Sequence, residues 1–488
     1  MKVIAKSFLL ICLFALAADA QISNFKHVVV IVQENRTPDN LFQGLCAPPF
    51  GSASICSTTP AASQYNIQTS NWLDKTSPGG TIQPGTVKLN NKYDLDHSHN
   101  GWLAMCDLTP VGAPIPGICK MDGADGVSCK GKCPPKPQFD FVLNKKHILD
   151  PYLQLATQYG WANYMFQTNQ GPSFPAHQFL FGGTSAPTTA DDAAGVYASS
   201  NMTSTGGTGG TNAEAGCSAP ADTRVKVISP GLGESQEIFP CFEHQTMGDL
   251  LTGAPVPLTW RYYVPSPGSI WTAPNAIQHI CEAAAPGQAC TGQQWKDNVD
   301  LVSADVLKDI SACNLRNVTW AIPTGLNSDH ANDNDGGGPS WVASIVNAIG
   351  NATTCDGGAG YWSDTAIFIT WDDWGGWYDH EPPTILAGPP GSYQYGFRVP
   401  LLAVSAYTPK GYINNNRHDF GSILRFIEHN FTLGQGALTF SDARSLTDLQ
   451  EFFDLTQPPR SFQTLTAQKN AAFFLNDKRK QTDPDDDQ

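Results

Sequence analysis

The apolar run HVVVIV at residues 27–32 is the feature that most constrains the fold. It is rich in β-branched residues and has no polar alternation, which is typical of a strand buried on both faces. Similar runs cover 364–370 and 397–405, and helical spacing occurs at 340–349 and 419–431. Strands that alternate with helices in this way predict an α/β fold, in which helices cover both faces of a central, mostly parallel sheet.

The first two runs each end in a cluster of polar side chains. Glu34 and Asn35 follow the first run, and Asp372 and Asp373 follow the second. Ligand sites in open α/β sheets form beyond the carboxyl ends of strands, so we expect the two clusters to meet at one rim. Three carboxylates that meet there repel one another unless a cation neutralises them. The simpler alternative is that these residues only cap strand ends that face solvent.

The sequence therefore predicts one divalent metal ion at this rim. Carboxylate and amide oxygens suit Ca²⁺, Mg²⁺ or Mn²⁺, and Zn²⁺ also accepts carboxylates. The residues alone leave the identity of the ion open.

The segment GPSFPAH at 171–177 places a hydroxyl group ahead of a predicted helix. Ser173 stands two residues before Pro175, which fits a first helical turn, so Ser173 fits the N-cap position. Free N–H groups at a helix N-terminus also bind phosphate oxygens. Ser173 is thus either a cap or a nucleophile that attacks phosphorus.

Five histidines lie in polar or glycine-rich contexts: His97, His99, His279, His330 and His380. An imidazole can donate to a phosphoryl oxygen or protonate a departing alkoxide. The alternative for each of them is a surface or structural histidine. The stretch NSDHANDNDGGG at 327–338 also resembles a calcium loop, but it lacks the glutamate at position twelve of such loops.

Composition narrows the possible partners. The chain has 488 residues, of which 41% are hydrophobic and 15% charged, as in a folded globular protein. The net charge is −15 and Lys/Arg-rich runs are lacking, so we expect no nucleic-acid partner. An acidic protein is repelled by anionic bilayers, which leaves at most transient contact with a membrane surface. Loops at 265–275 or 387–396 are candidates for such contact.

The first twenty residues have the pattern of a secretory signal peptide. Lys2 and Lys6 precede an apolar core at 7–17, and Ala-Asp-Ala at 18–20 forms a cleavage site. A signal peptide at 1–20 predicts a secreted or periplasmic protein.

The number of cysteines also supports export. Of 13 cysteines, Cys12 lies in the signal, which leaves an even number for an oxidising compartment where disulfides persist. Three close pairs are natural partners: Cys46 with Cys56, Cys129 with Cys133, and Cys281 with Cys290. The pair Cys129 and Cys133 could instead be half of a zinc site, although no matching pair follows. The other pairings stay open.

Six blocks, in order along the chain, resemble a bacterial phosphoesterase family. The blocks are QENRTPDNLF (33–42), DLDHSHNGW (94–102), GPSFPAHQFLFGGTS (171–185), TWRYY (259–263), SDHANDNDGGGPSWVASIVNAI (328–349) and TAIFITWDDWGGWYDHEPP (365–383). This family contains phospholipases C and an acid phosphatase and belongs to the alkaline phosphatase superfamily. The resemblance implies an alkaline-phosphatase-like three-layer sandwich.

It also implies one phosphoesterase catalytic domain at 21–475. Gly-rich and polar composition predicts inserted loops at about 45–95 and 195–216. We expect the charged tail at 476–488 to be disordered.

The resemblance also assigns roles to residues. The metal ligands of the family fall on Glu34, Asn35, Ser173, Asp372 and Asp373. Its phosphate-contacting histidines fall on His97, His279 and His330, with His99 and His380 as second choices.

These assignments predict a secreted, metal-dependent phosphoesterase of the phospholipase C or acid phosphatase type. Ser173 would form a phosphoserine intermediate, and His330 or His97 would protonate the departing alcohol. The substrate would be a phospholipid or a soluble phosphomonoester. The alternative to an enzyme is a non-catalytic secreted protein that is stabilised by a metal and binds a phosphorylated or carbohydrate ligand.

Overall fold

An eight-stranded sheet forms the centre of the computed structural model. The structure describes residues 24–108, 119–204, 215–229, 233–234, 236–386, 393–434 and 436–480. The predicted signal peptide at 1–20 lies outside the described residues. No helix among the residues that the structure describes is long and apolar enough to cross a membrane.

The central sheet is mostly parallel. Its strands are β1 (His27–Gln33), β2 (Gly160–Phe166), β3 (Trp260–Tyr263), β4 (Val299–Asp300), β5 (Val318–Ala321), β6 (Thr365–Trp371), β7 (Leu401–Val404) and β8 (Tyr412–Asp419). Their spatial order is β4-β3-β5-β1-β6-β7-β2-β8. Strand β7 runs antiparallel to both of its neighbours, and the other pairings are parallel.

Strand β1 lies in the middle of this sheet, between β5 and β6. It pairs with β6 over seven residues, from His27 opposite Thr365 to Gln33 opposite Trp371. All residues of both strands are buried, as their unbroken apolar runs predict. The register brings the two strands to an end at the same level of the sheet.

Helices cover both faces of the sheet. The α-helices are α1 (Pro38–Leu41), α2 (His99–Met105), α3 (Asp150–Gln158), α4 (Ser173–Gly182), α5 (Thr189–Ala194), α6 (Met247–Thr252), α7 (Gln278–Cys281), α8 (Gln293–Asn298), α9 (Asp305–Ser311), α10 (Gly338–Asn351), α11 (Phe420–Asn430), α12 (Thr439–Arg444) and α13 (Ala471–Leu475). Helices α3, α9 and α13 pack on α10, whereas α4 and α12 pack on α11 and α6 packs on α4.

The side chains of β6 show that these two groups of helices lie on opposite faces. Successive residues of a strand point to opposite sides of a sheet. The ring of Phe368 contacts Phe426 of α11 with centroids 4.9 Å apart. The ring of Trp371 contacts Tyr152 of α3 at 5.0 Å. The predicted three-layer α/β architecture is confirmed.

Short strands occupy the two predicted insertions. The segment at about 45–95 contains Cys56–Ser57, Tyr65–Asn66, Trp72–Leu73, Thr81–Ile82, Gly85–Val87 and Tyr93–Leu95, and its partners elsewhere are Asp140–Val142 and Cys129–Gly131. A separate four-stranded sheet contains Tyr197–Ala198, Thr203–Ser204, Thr223–Ile228 and Gln236–Ile238. Tyr65 and Trp72 are buried in the core, so the first insertion packs on the domain.

Six disulfides link the twelve cysteines of the described residues. They join Cys46 to Cys56, Cys106 to Cys119, Cys129 to Cys133, Cys217 to Cys241, Cys281 to Cys290, and Cys313 to Cys355. The three predicted pairs are among them, and the disulfide at Cys129 replaces the zinc alternative.

The predicted tail begins with ordered contacts. Arg479 forms ion pairs with Asp335 and with Asp477. Lys469 also pairs with Asp335, at 2.7 Å. Both cations thus pair with Asp335 of the calcium-like stretch at 327–338. Residues 481–488 lie outside the described part of the chain.

Candidate active site

The polar clusters that follow β1 and β6 meet at one rim of the sheet. The backbone N–H of Asp372 donates to the carbonyl of Gln33 at 2.9 Å. The N–H of Asn35 donates to Asp372 Oδ1 at 3.2 Å. Glu34, Asn35, Asp372 and Asp373 are all fully buried. The sheet register thus brings the predicted carboxylates together.

Backbone N–H groups orient both aspartates. Asp372 Oδ1 also accepts from the N–H of Asp373 at 2.8 Å, and Asp373 Oδ1 accepts from the N–H of Gly375 at 2.7 Å. These backbone bonds use Oδ1 of each aspartate and leave Oδ2 available to the cluster. Gly375 has a φ of +63°, and a Cβ there would lie 2.3 Å from the carbonyl oxygen of Asn35. This position requires glycine because the two strand ends approach so closely.

Ser173 is the first residue of α4, and its hydroxyl does not cap the helix. The N-cap position belongs to Pro172, which provides no side-chain cap. The N–H of Phe174 donates instead to Asn201 Oδ1, at 3.0 Å. Ser173 Oγ lies 3.4 Å from Glu34 Oε2 and 3.3 Å from Asp373 Oδ2. The N-cap interpretation of Ser173 is therefore wrong.

Side-chain amides hold the segment between β2 and Ser173. Gln167 donates to the carbonyls of Asn169 at 2.9 Å and Gly171 at 3.0 Å. Its Oε1 accepts from the N–H of Trp374 at 3.2 Å. Gln167 thus fixes the start of α4 to the segment that carries Asp373.

His177 is a further member of the cluster, and it is not one of the five histidines predicted from the sequence. Its Nε2 lies 3.3 Å from Glu34 Oε1 and 3.8 Å from Asp372 Oδ2, and its Nδ1 lies 3.1 Å from the hydroxyl of Tyr262. Burial lowers the pKa of His177 to about 4. His177 stands one helical turn after Ser173 in the GPSFPAH block, and this i, i+4 spacing is the signal that identifies it.

His97 lies beside Asn35 of the cluster, and His330 lies beside His97. His97 Nε2 lies 3.1 Å from Asn35 Nδ2, and its Nδ1 lies 2.8 Å from the carbonyl of Leu95. The rings of His97 and His330 meet edge to face with centroids 5.8 Å apart. Burial and the charge of Asp372 raise the pKa of Asp373, and the nearby His330 opposes part of this rise. The structure thus places both imidazoles at the side of the cluster that Asn35 forms.

A buried arginine anchors the loop that carries His330. Arg36 Nε donates to the carbonyl of Asp329 at 2.9 Å, and its guanidinium lies 4.9 Å from the ring centre of Trp377. The carboxylate of Asp329 accepts from the hydroxyl of Tyr152 at 2.8 Å and from the indole of Trp371 at 3.1 Å. These contacts fix the His330 loop to the ends of β1 and β6.

The other predicted histidines occupy different surroundings. His279 Nδ1 lies 2.7 Å from Glu243 and its Nε2 lies 2.9 Å from Asp249, so both ring nitrogens are engaged by carboxylates there. His380 contacts Asp39 at 2.7 Å. His99 stacks on Trp102 in α2. The structure does not bring His279 to the cluster that holds Ser173.

The ion pairs of His279 predict a pH-dependent stability. The hydrogen bond to Asp249, together with Glu243, raises the pKa of His279 to about 9 from 6.5. A raised pKa stabilises the fold fully below pH 6.5, and this contribution is lost as the pH rises through 9. The ring is 32% exposed, so we expect about 1–2 kcal/mol after solvent screening.

Denaturant unfolding at pH 6 and pH 9.5 measures this effect. We expect the free energy of unfolding of the wild type to fall more across this range than that of His279→Gln. Equal falls in the two proteins would exclude the ion-pair contribution.

The buried carboxylates create an electrostatic conflict. Burial raises the pKa of Glu34 and of Asp373 well above their usual values, and the charge of Asp372 adds to both effects. Asn35 Oδ1 and Asp372 Oδ2 are buried, and no hydrogen bond to either atom is found among the described residues. A bound cation would resolve the conflict and satisfy both oxygens, so these residues fit a divalent metal.

Two other groupings of acids and histidine among the described residues each include a cation of the protein. Lys26 forms ion pairs with Asp356 and Asp364 in the first of them. Arg398 donates to both carboxylate oxygens of Asp379, at 3.0 Å each, in the second. Each grouping already contains a cation of the protein, so the cluster at Ser173 is the better metal candidate.

Comparisons with known proteins identify relatives of this chain. Phospholipase C A of Mycobacterium tuberculosis is 26% identical over 178 residues, which are 32% of this chain and 33% of the relative. Non-haemolytic phospholipase C of Burkholderia pseudomallei is 31% identical over 153 residues, which are 26% of this chain and 21% of the relative. These alignments span a third or less of the length of the relatives.

A solved structure described as a protein in the alkaline phosphatase superfamily, from Vibrio parahaemolyticus, aligns with a TM-score of 0.33 at 10% identity, over 64% of each chain. The model of the Phosphoesterase family matches residues 25–434, a range that holds Glu34, Ser173 and Asp373. The chain belongs to the phosphoesterase family.

Proposed function

We propose that this chain is an exported, metal-dependent phosphoester hydrolase that acts through a phosphoserine at Ser173. The observation that carries the proposal is the position of Ser173 Oγ. It is free of a capping role and lies 3.3 Å from Asp373 and 3.4 Å from Glu34, at a helix start within a buried acidic cluster. A protein that only binds its ligand has no need for a hydroxyl there.

The proposed metal ligands are Glu34, Asn35, Asp372 and Asp373, together with Ser173. A divalent ion held there would stabilise the serine alkoxide and neutralise the phosphoryl oxygens. The set accepts Ca²⁺, Mg²⁺, Mn²⁺ or Zn²⁺.

The proposed reaction has two displacement steps at phosphorus. Ser173 Oγ attacks phosphorus and gives up its proton, for which Glu34 and Asp373 are the nearest acceptors. The bond from phosphorus to the alcohol breaks, and His330 or His97 gives a proton to the departing alkoxide. Water then attacks phosphorus, the bond from phosphorus to Ser173 Oγ breaks, and a proton from the water restores the serine hydroxyl. The product is phosphate from a monoester or a phosphorylated head group from a phospholipid.

The proposed substrates are phospholipids or soluble phosphomonoesters. The named relatives are phospholipases C, which supports the first class. The predicted membrane-contacting loop at 265–275 does not support it, because Ile270 and Trp271 are buried. Residues 387–392 of the second candidate loop lie outside the described residues. The net charge of −15 supports a substrate other than nucleic acid.

One assay separates these possibilities. We expect purified protein to hydrolyse p-nitrophenyl phosphate or p-nitrophenyl phosphocholine, and a chelator to stop the release of p-nitrophenol. The first substrate reports a monoesterase and the second a phospholipase C type of enzyme. Hydrolysis of neither substrate, with each of the four ions supplied, would favour the binding protein instead.

A further inference from the structure

The hydrogen bonds of Tyr262 determine which nitrogen of His177 carries the proton. The hydroxyl of Tyr262 has one hydrogen and lies 2.8 Å from the carbonyl oxygen of Trp271, which can only accept. Tyr262 therefore donates to Trp271, and its oxygen accepts from His177 Nδ1 at 3.1 Å. The neutral imidazole thus has its hydrogen on Nδ1 and a lone pair on Nε2.

That lone pair points into the carboxylate cluster. His177 Nε2 lies 3.3 Å from Glu34 Oε1 and 3.8 Å from Asp372 Oδ2. An ionised carboxylate oxygen only accepts hydrogen bonds, so with both carboxylates ionised three acceptors would face one another inside the protein. One ligand atom of each residue lies within 4.8 Å of the others. A cation between them removes the conflict.

We propose that His177 is a nitrogen ligand of this metal, and that it biases the site towards Zn²⁺ over Ca²⁺ and Mg²⁺. The proposal rests on the metal site of the proposed function. Imidazole nitrogen suits Zn²⁺, whereas Ca²⁺ and Mg²⁺ take oxygen ligands. Histidines that bind metals commonly donate their other N–H to a fixed acceptor, and Tyr262 provides one here.

The strand that carries Tyr262 offers a matched control. Tyr263 is the next residue of β3, and its hydroxyl donates to Asp309 at 2.6 Å on the other face of the sheet. Tyr262→Phe and Tyr263→Phe each remove one buried phenolic hydroxyl. Only the first change removes the acceptor of His177 Nδ1.

Metal affinity tests the proposal without a measurement of turnover. Metal-free full-length protein is titrated calorimetrically with Zn²⁺ and, separately, with Ca²⁺. We expect His177→Asn to weaken Zn²⁺ binding by about 100-fold and Tyr262→Phe by about 10-fold. We expect Tyr263→Phe to leave both affinities unchanged. Equal affinities for Zn²⁺ in the wild type and His177→Asn would overturn the proposal.

Pulsed EPR of the Mn²⁺-loaded protein provides a direct signature. We expect ¹⁴N coupling from a coordinated imidazole in the wild type and in Tyr263→Phe, and its loss in His177→Asn. Bound Mn²⁺ without ¹⁴N coupling would refute His177 ligation, for instance because a proton occupies Nε2, and would leave the proposed function intact. Failure to bind any divalent ion would overturn both.

Discussion

Ser173→Ala is expected to lower kcat for phosphate-ester hydrolysis by at least about 1,000-fold, which corresponds to about 4 kcal/mol of transition-state stabilisation. The change removes the atom that forms the covalent bond to phosphorus. The fold should persist, because the hydroxyl makes no capping bond and Asn201 serves the N–H of Phe174 instead. Steady-state kinetics measures kcat, and acid quenching with ³²P-labelled substrate measures the phosphoenzyme.

Ser185→Ala is the matched control. Ser185 is also fully buried, and its hydroxyl donates to the carbonyl of Ala198 at 2.9 Å, away from the carboxylates. Its loss should cost about 1 kcal/mol of stability and leave kcat unchanged. Turnover by Ser173→Ala at the wild-type rate, or labelling of that variant by ³²P, would eliminate the phosphoserine mechanism.

Removal of the metal is expected to have the second large effect. A chelator should lower kcat by at least about 100-fold, because the charge on the phosphoryl oxygens would then lack a counter-ion. It should also lower the Tm by several degrees, because the carboxylates of Glu34, Asp372 and Asp373 then repel one another in a buried site. Both effects should reverse when the ion is restored, as measured by activity and by thermal unfolding.

Glu34→Gln separates the electrostatic cause from a general loss of structure. An amide carries no charge, so the metal-free variant should be about 1–3 kcal/mol more stable than the metal-free wild type, although it no longer binds the ion. Glu451→Gln is the control, since the carboxylate of Glu451 is partly exposed and accepts from Asn414 and Asn416. A metal-free Glu34→Gln protein less stable than the wild type would contradict this account.

Much of the centre of the fold is predictable from local patterns. The apolar runs identify β1 and β6 to within one or two residues, because a strand buried on both faces leaves an unbroken signal. The convergence of Glu34 with Asp372 follows from the rule that parallel strands end at one rim. The antiparallel direction of β7 cannot be predicted in this way, because the apolar pattern of a buried strand is the same whichever way the strand runs.

The remainder of the site depends on tertiary partners. His177 lies in a helix whose residues are all buried, so no polar face distinguishes it from the core, and only its i, i+4 spacing from Ser173 points to it. Its neighbour Tyr262 is 85 positions away. The sequence around Ser173 fits an N-cap, but the N–H of Phe174 donates to Asn201, which lies in a different loop. His279 is held by Glu243 and Asp249, and spacing alone does not indicate that pairing.

The central position of β1 has a consequence for how the protein is made. Asn35 and Asp372 are 337 positions apart. Strand β1 therefore cannot form its pairings until β5 and β6 have been synthesised. Translation of that interval takes about 20–70 s. During this time we expect the apolar HVVVIV segment to lack its partner strands and to be prone to aggregation. We therefore expect chaperones to bind it until the chain is nearly complete.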